Sequence, residues 1–344
     1  MIYFCLLILA ILIFRLISLK FKKNGEIFFF VLSAICVVAF QGLRSYFVGT
    51  DTQVYINSFI EIGKHISLKS GLGITYQNFE IGFIVFNKIL FMLHVNERLF
   101  LIIVSAIVQL PIFYTIYKYS DSPLLSVLTY FSLGNFFVTF SALRQSISMA
   151  LCFYGYHFIK KKKILLYVIT VLLATLFHKS ALVCLILYPL YRCKVPMDCN
   201  LVFTSIIIVL CFVFRRQIFS VFSLIYYSDV EMRETGSYMM FAAFFILYLI
   251  SYIFANERNA DFVGLRQILF LITLIYVFAS VHDYVTRVSF PMSLYLTIFI
   301  PKVVNYACTQ FKRKKVIKFL SYAFLIVCYF AFCGSLNTLP FSFL

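Results

Sequence analysis

The chain has 344 residues, of which 63% are hydrophobic and only 12% charged. A soluble domain carries about twice that share of charge, so an ordinary soluble enzyme is excluded. The formal net charge of +17 sits in short Lys and Arg tracts between apolar runs, as in the cytoplasmic loops of membrane proteins, and no nucleic-acid partner is expected.

Apolar runs long enough to cross a hydrocarbon core of about 30 Å recur from end to end. In lipid only helices and closed barrels satisfy their own backbone. The sequence therefore predicts an all-α polytopic membrane protein: one transmembrane domain over 1–344, with about twelve spans and a larger outer-face loop at 44–80. The first span, 2–19, opens MIYFCLLILAILIF without a basic n-region or small-residue cleavage site and is expected to remain as an uncleaved anchor. Lys20, Lys22 and Lys23 precede a second span at 27–43. The next apolar segment, 81–93, is short for a span and contains Lys88, so it reads as re-entrant or interfacial. Spans at 99–117, 122–140 and 144–159 lead to the Lys160–Lys163 tract. Two short runs, 164–177 and 180–191, flank a turn at His178. Spans at 201–219, 238–254, 266–281, 287–304 and 316–334 complete the chain, the last preceded by Lys312–Lys315. The 43 Phe and 24 Tyr are expected mostly to face lipid or form interfacial belts. Ten cysteines show no CxxC pair and no Cys/His spacing suited to a metal, so neither a metal nor another cofactor is expected.

Lysine and arginine set the orientation. With Lys20–Lys23 cytoplasmic and 79–94 not crossing, every basic tract faces the cytoplasm and both termini lie outside. A rival arrangement, with the N-terminus inside and 79–94 crossing, preserves all later loops, and charge alone leaves the first loop open.

In the preferred orientation the outer face collects an unusual set of residues. The first large loop holds Arg44, Asp51 and Glu80; SALRQ places Arg144 at a helix start; HKSA holds His178 and Lys179; a later loop holds Tyr227, Asp229, Glu231 and Arg233; and HDYVTR holds His282, Asp283 and Arg287. Ionisable residues near the ends of membrane helices are expensive and mark sites or pathways. Each also has a plainer reading. Arg44 and Arg144 fit as snorkelling side chains. Asp51 in GTD fits a helix N-cap after a turn at Gly49, His178 fits a structural hydrogen-bonder, and Asp283 with Arg287 fits an intrahelical ion pair. Together they suit a lipid-linked phosphate: arginine forks grip phosphate oxygens, stabilise a departing diphosphate without a metal, and leave an Asp, Glu or His to take a proton from an attacking hydroxyl.

At these residues the sequence resembles the EpsG-like and Wzy-type polysaccharide polymerases of bacteria. The matching pieces are RSYFVGTDTQVYINSF at 44–59, FEIGF at 79–83, SALRQSISMAL at 141–151, FHKSALV at 177–183 and DYVTRVSFP at 283–291. Their order and spacing span most of the chain, while 192–281 adds little beyond hydropathy. The resemblance implies a type-C-like helical glycosyltransferase of the cytoplasmic membrane, acting on the outer face. Its substrates are oligosaccharide repeat units on undecaprenyl diphosphate, polymerised into O-antigen or exopolysaccharide; a chain-length regulator is a further partner it leaves open. Carried over, Arg44, Arg144 and Arg287 grip the diphosphate. Asp51 is the leading base, with His178 its rival and Glu80 a supporting carboxylate. Tyr55, Gln145, Lys179 and Asp283, in the same motifs, complete the candidate substrate-binding set. No nucleotide motif such as GxGxxG is present, as befits a lipid diphosphate donor. A lipid-linked oligosaccharide flippase and a ligase or acyltransferase remain as alternatives, the first disfavoured by charges placed in outer loops and by the lack of an internal repeat.

Overall fold

The computed structural model describes all residues except 22–23, 68–74, 193–196, 227–237, 255–258, 283 and 344. Among the described residues the chain is helical, and its sole sheet-like pairing is a bridge between Arg44 and Phe343. The helices are α1 (Ile2–Ser18), α2 (Gly25–Gly42), α3 (Thr52–His65), α4 (Ile81–Met92), α5 (Glu97–Tyr119), α6 (Pro123–Ser132), α7 (Asn135–Ser141), α8 (Leu143–Tyr154), α9 (Tyr156–Lys160) and α10 (Ile164–Thr175). A 3-10 helix (Lys179–Ile186) leads into α11 (Leu187–Arg192). Then follow α12 (Met197–Val213), α13 (Arg215–Tyr226), α14 (Tyr238–Ile253), α15 (Ala260–Ala279), α16 (Tyr284–Ser293), α17 (Leu296–Gln310) and α18 (Lys314–Phe332).

Each predicted span falls on helix, but the count is lower than the hydropathy suggests. Among the described residues four helices, α2, α5, α15 and α18, are long and apolar enough to cross a membrane, rising to seven if each bent pair is one span. The bent pairs are α6 with α7 (54°), α12 with α13 (76°) and α16 with α17 (59°). The first break sits at Gly134, whose left-handed φ of 77° ends one helix and starts the next. Elsewhere a hydrophobic run does not make one long helix: α10 has 12 residues, about 18 Å of rise.

α4 settles the parity of the first loop. Arg98, at the start of α5, donates from Nη1 to the carbonyls of Gly42 (3.3 Å) and Arg44 (2.9 Å) at the end of α2. The chain between α2 and α5 thus leaves and returns at one end of the bundle, and the arrangement with 79–94 as a crossing does not fit. α3 and α4 pack on each other in this excursion, with Lys88 Nζ donating to the carbonyl of Gly63 at 2.6 Å. Both chain ends lie at the same end: Tyr3 packs on Phe341 and Phe343, and Ser45 N donates to Ser342 O at 2.8 Å.

Without a hydrophobic force between helices in lipid, association rests on close packing and interhelical hydrogen bonds. Gly42 supplies one close approach, since a Cβ there would stand 2.9 Å from the Ile102 Cα of α5. A buried polar network supplies the other: Gln41 Nε2 donates to Thr139 O (2.6 Å), Gln109 Nε2 to Gln41 Oε1 (2.8 Å), and the Tyr130 hydroxyl to Gln109 Oε1 (2.9 Å). The aromatics are less lipid-facing than expected. Phe4, Phe40, Phe137, Phe140, Tyr329 and Phe341 interlock as one buried ring cluster joining α1, α2, α7, α18 and the C-terminal segment. Aromatic pairs gain about 0.5–1.5 kcal/mol each from this tilted and edge-on geometry.

Candidate active site

The GTD turn is bolted to the end of α7. Gly49 takes φ of 97° with its N–H on Asn337 O at 2.9 Å, and a Cβ there would press against Phe140 O, so only glycine fits. Thr50 N donates to Ser141 Oγ (2.9 Å), and the Thr52 hydroxyl to Val48 O (2.7 Å) and Phe140 O (2.9 Å). These contacts place Asp51 at the N-cap of α3. Asp51 makes no side-chain hydrogen bond to the first turn and is half-buried, so the capping reading is not realised and its carboxylate is uncommitted there.

Arg44 takes a different place from Arg144 and Arg287. It is 1% exposed, rather than snorkelling. Its Nη1 donates to Gln41 O (2.5 Å), Nη2 to Phe140 O (3.0 Å) and Nε to Val48 O (3.2 Å), with the guanidinium over the Phe140 ring. Every edge of the fork is spent on the protein, so Arg44 is a strut beneath the turn and offers nothing to a phosphate.

The gathering point is Glu80. It ends the loop before α4, and Gly82 N donates to Leu176 O at 2.9 Å, which brings the start of α4 against the end of α10 and so Glu80 against His178. Glu80 Oε1 lies 3.4 Å from His178 Nδ1 and accepts the backbone N–H of Lys179 at 3.2 Å. Glu80 Oε2 forms an ion pair with Arg144 Nη1, which also donates to Asn78 O at 3.0 Å. The Arg144 guanidinium stacks 4.3 Å from the centre of the Phe79 ring, and its Nε is buried without a hydrogen-bond partner. Burial alone would raise the Glu80 carboxyl, but the adjacent His178 imidazole, the Arg144 charge and the backbone N–H donors outweigh it and hold it at about 2. A carboxylate this acidic is a poor proton acceptor and a good anchor.

Neighbouring elements close the group. Gln145, next to Arg144 on α8, is buried and donates from Nε2 to the carbonyl of Arg287 at 2.6 Å, tying α16 to the site, while the Arg287 side chain is exposed. Tyr55, one turn along α3 from Asp51, packs its ring on Phe79 and Phe83. Burial raises its phenol; the adjacent Arg144 pulls it down and Asp51 pushes it up, so Tyr55 stands between the two. Of the sequence-derived set, Asp51, Tyr55, Glu80, Arg144, Gln145, His178, Lys179 and Arg287 meet at one end, and Arg44 supports them from below. Asp283 lies outside the described residues, as do Tyr227, Asp229, Glu231 and Arg233.

A second charged cluster, unremarked in the sequence, forms at the opposite end. Asp261, in the first turn of α15, accepts from the Tyr156 and Tyr191 hydroxyls and from Lys160 Nζ at 2.7 Å. Buried Lys302 bridges Asp261 (3.2 Å) and Asp121 (2.8 Å). Charges at span ends beside the lysine tracts were its sequence signal. Among the described residues no group of His, Cys, Asp and Glu could hold a metal.

Compared with known families, residues 27–343, nearly the whole chain, match the model of the EpsG family. No curated protein and no solved structure matches the chain.

Proposed function

The chain belongs to the EpsG family and is a multi-pass helical membrane protein, and from that premise we propose that it polymerises lipid-linked saccharides at the outer face of the cytoplasmic membrane. The donor is a glycan on undecaprenyl diphosphate and the acceptor a hydroxyl of a second lipid-linked repeat. The observation that carries the reading is the meeting of Arg144, Glu80, His178, Lys179 and the Gln145–Arg287 contact, from four separate segments, at the end bearing the GTD turn.

The reaction divides among these side chains. The acceptor oxygen bonds to the anomeric carbon of the donor sugar as the bond from that carbon to the diphosphate breaks, and the diphosphate leaves on its lipid. Asp51 takes the hydroxyl proton; it is the carboxylate not committed to an anchoring network. Arg144, Lys179 and Arg287 face the growing negative charge on the leaving group, a metal-free electrostatic stabilisation. Glu80 is a positioning residue that holds Arg144 and His178 in place. His178 is then a hydrogen-bond donor to phosphate rather than the base.

The test is a gel of surface glycan from a gene-deletion strain complemented with wild type or Asp51→Asn. Single repeats without a ladder in the deletion and Asp51→Asn strains, with a ladder restored by wild type, support the reading. Loss of every repeat points to a flippase, and accumulated lipid-linked polymer to a ligase; either overturns it.

A further inference from the structure

Between α2 and α5, two of the four long apolar helices, lies a cavity of about 340 Å³ lined wholly by apolar side chains, among them Ile35, Ala39, Leu43, Ile102, Ala106 and Leu110. Ile35, Leu43 and Leu110 are each more than two-fifths exposed, so the cavity opens sideways, where hydrocarbon surrounds a membrane helix. Its floor is set by the small Ala39 and Ala106, while Gly42 and Ile102 touch at its upper end. From Ile35 to Leu43 the helix rises about 12 Å, which makes the cavity a slot along the helix axes.

An arginine lies just beyond the upper end of the slot, on the side of the candidate site. Arg98 stands one turn above Ile102 on the same face of α5. Its Nη1 is spent on the Gly42 and Arg44 carbonyls and its guanidinium rests 5.3 Å from the centre of the Tyr46 ring. Arg98 is half-buried and forms no ion pair among the described residues. From there Arg44 runs straight to the GTD turn through Phe140 O and Thr52. An apolar slot along two membrane helices with an arginine one turn beyond its end suits a polyprenyl phosphate at its phosphate end. We infer that the slot between α2 and α5 seats the first isoprene units of a lipid-linked saccharide, with Arg98 facing its phosphate. The identity of the chain rests on the polymerase reading; the slot does not.

The test labels the full-length protein in nanodiscs with photoreactive farnesyl diphosphate and, separately, with a photoreactive phosphatidylglycerol. Labelling by the farnesyl probe concentrated in 35–43 and 102–110, and lost in Ala106→Phe, supports the inference. In the same variant the KM for lipid-linked substrate should rise about tenfold with kcat within about twofold, the mark of lost binding rather than lost chemistry. Ala39→Leu narrows the slot by less and should give an intermediate loss, so a misfolded Ala106→Phe leaves the question open to measurement. Equal labelling by both probes, or labelling confined to other helices, overturns it. Polymer of normal length in the deletion strain, with farnesyl labelling still lost in Ala106→Phe, keeps the slot and overturns the polymerase reading instead.

Discussion

Two charged clusters face each other across the bundle, and they differ in how completely their charges are matched. At the Asp261 end two carboxylates meet two lysines and two phenols, joining the loop before α6 to α9, α11, α15 and α17. At the Glu80 end one carboxylate holds one arginine, leaving Arg144 Nε without a partner, Lys179 contributing its backbone N–H, and Asp51 not capping its helix. A balanced network in a low-dielectric setting ties elements together and has nothing left to offer a ligand. The Glu80 end instead keeps a buried arginine nitrogen without a partner, beside exposed Lys179 and Arg287, a group an anion would complete. The contrast separates a clamp from a candidate site where charge counting alone would treat them alike.

The strongest way to break this contrast is Asp51→Asn. Loss of the proposed base should lower the proposed polymerisation by about 10²–10⁴-fold while the protein keeps its monodisperse profile in detergent. His178→Gln should cost far less, and the reverse order, read from ladder formation with purified lipid-linked repeats, would reassign the base. Next in size is Arg144→Ala, which strands the 8%-exposed Glu80 carboxylate; breaking a buried pair costs about 3–5 kcal/mol, visible as a lower Tm. Adding Glu80→Gln should recover most of that stability and none of the activity, whereas recovery of activity would make Arg144 merely structural. Asp261→Asn should also lower Tm, yet leave activity per folded molecule within about threefold, because in the proposed reading the substrate sits at the other end of the bundle; the fold-change scale is that of an unchanged transition state. A loss comparable with Asp51→Asn would erase the distinction between the two ends.

The smallest effect is one of pH. Glu80 is held at about 2, below its ordinary value of 4.5. A depressed carboxylate stabilises the fold fully above the unfolded value and ceases to as pH falls through the folded one. The Tm gap between wild type and Glu80→Gln should therefore stay constant from pH 8 to about 5 and shrink only between about 4.5 and 2. A gap that closes near neutrality would mean that Glu80 is not anchored as described.

Much of the fold class and the candidate residues was legible because bilayer physics writes them into composition. Apolar runs must be helical in lipid, lysine tracts choose a side, and charged residues at span ends stand out against a 63% hydrophobic background. The five motif segments could be read as belonging to one face, and eight of their residues do converge. The sequence could not show which run breaks, because a kink such as that at Gly134 costs little hydropathy and changes length entirely. Nor could it show that Arg44 is spent on backbone carbonyls while Arg144 pairs with Glu80, since both sit at span ends and differ in which partners lie within reach.

By itself, then, the amino-acid sequence determined a helical membrane protein with a set of ionisable side chains at span ends, since solvation in lipid acts on each residue independently of its neighbours. Only tertiary structure decided that Glu80 meets Arg144 and His178, that the excursion between α2 and α5 returns to the end it left, and that Asp121, Asp261 and Lys302 close the other end. Those outcomes depend on distances between segments far apart in the chain, which hydrogen-bond geometry sets and hydropathy does not.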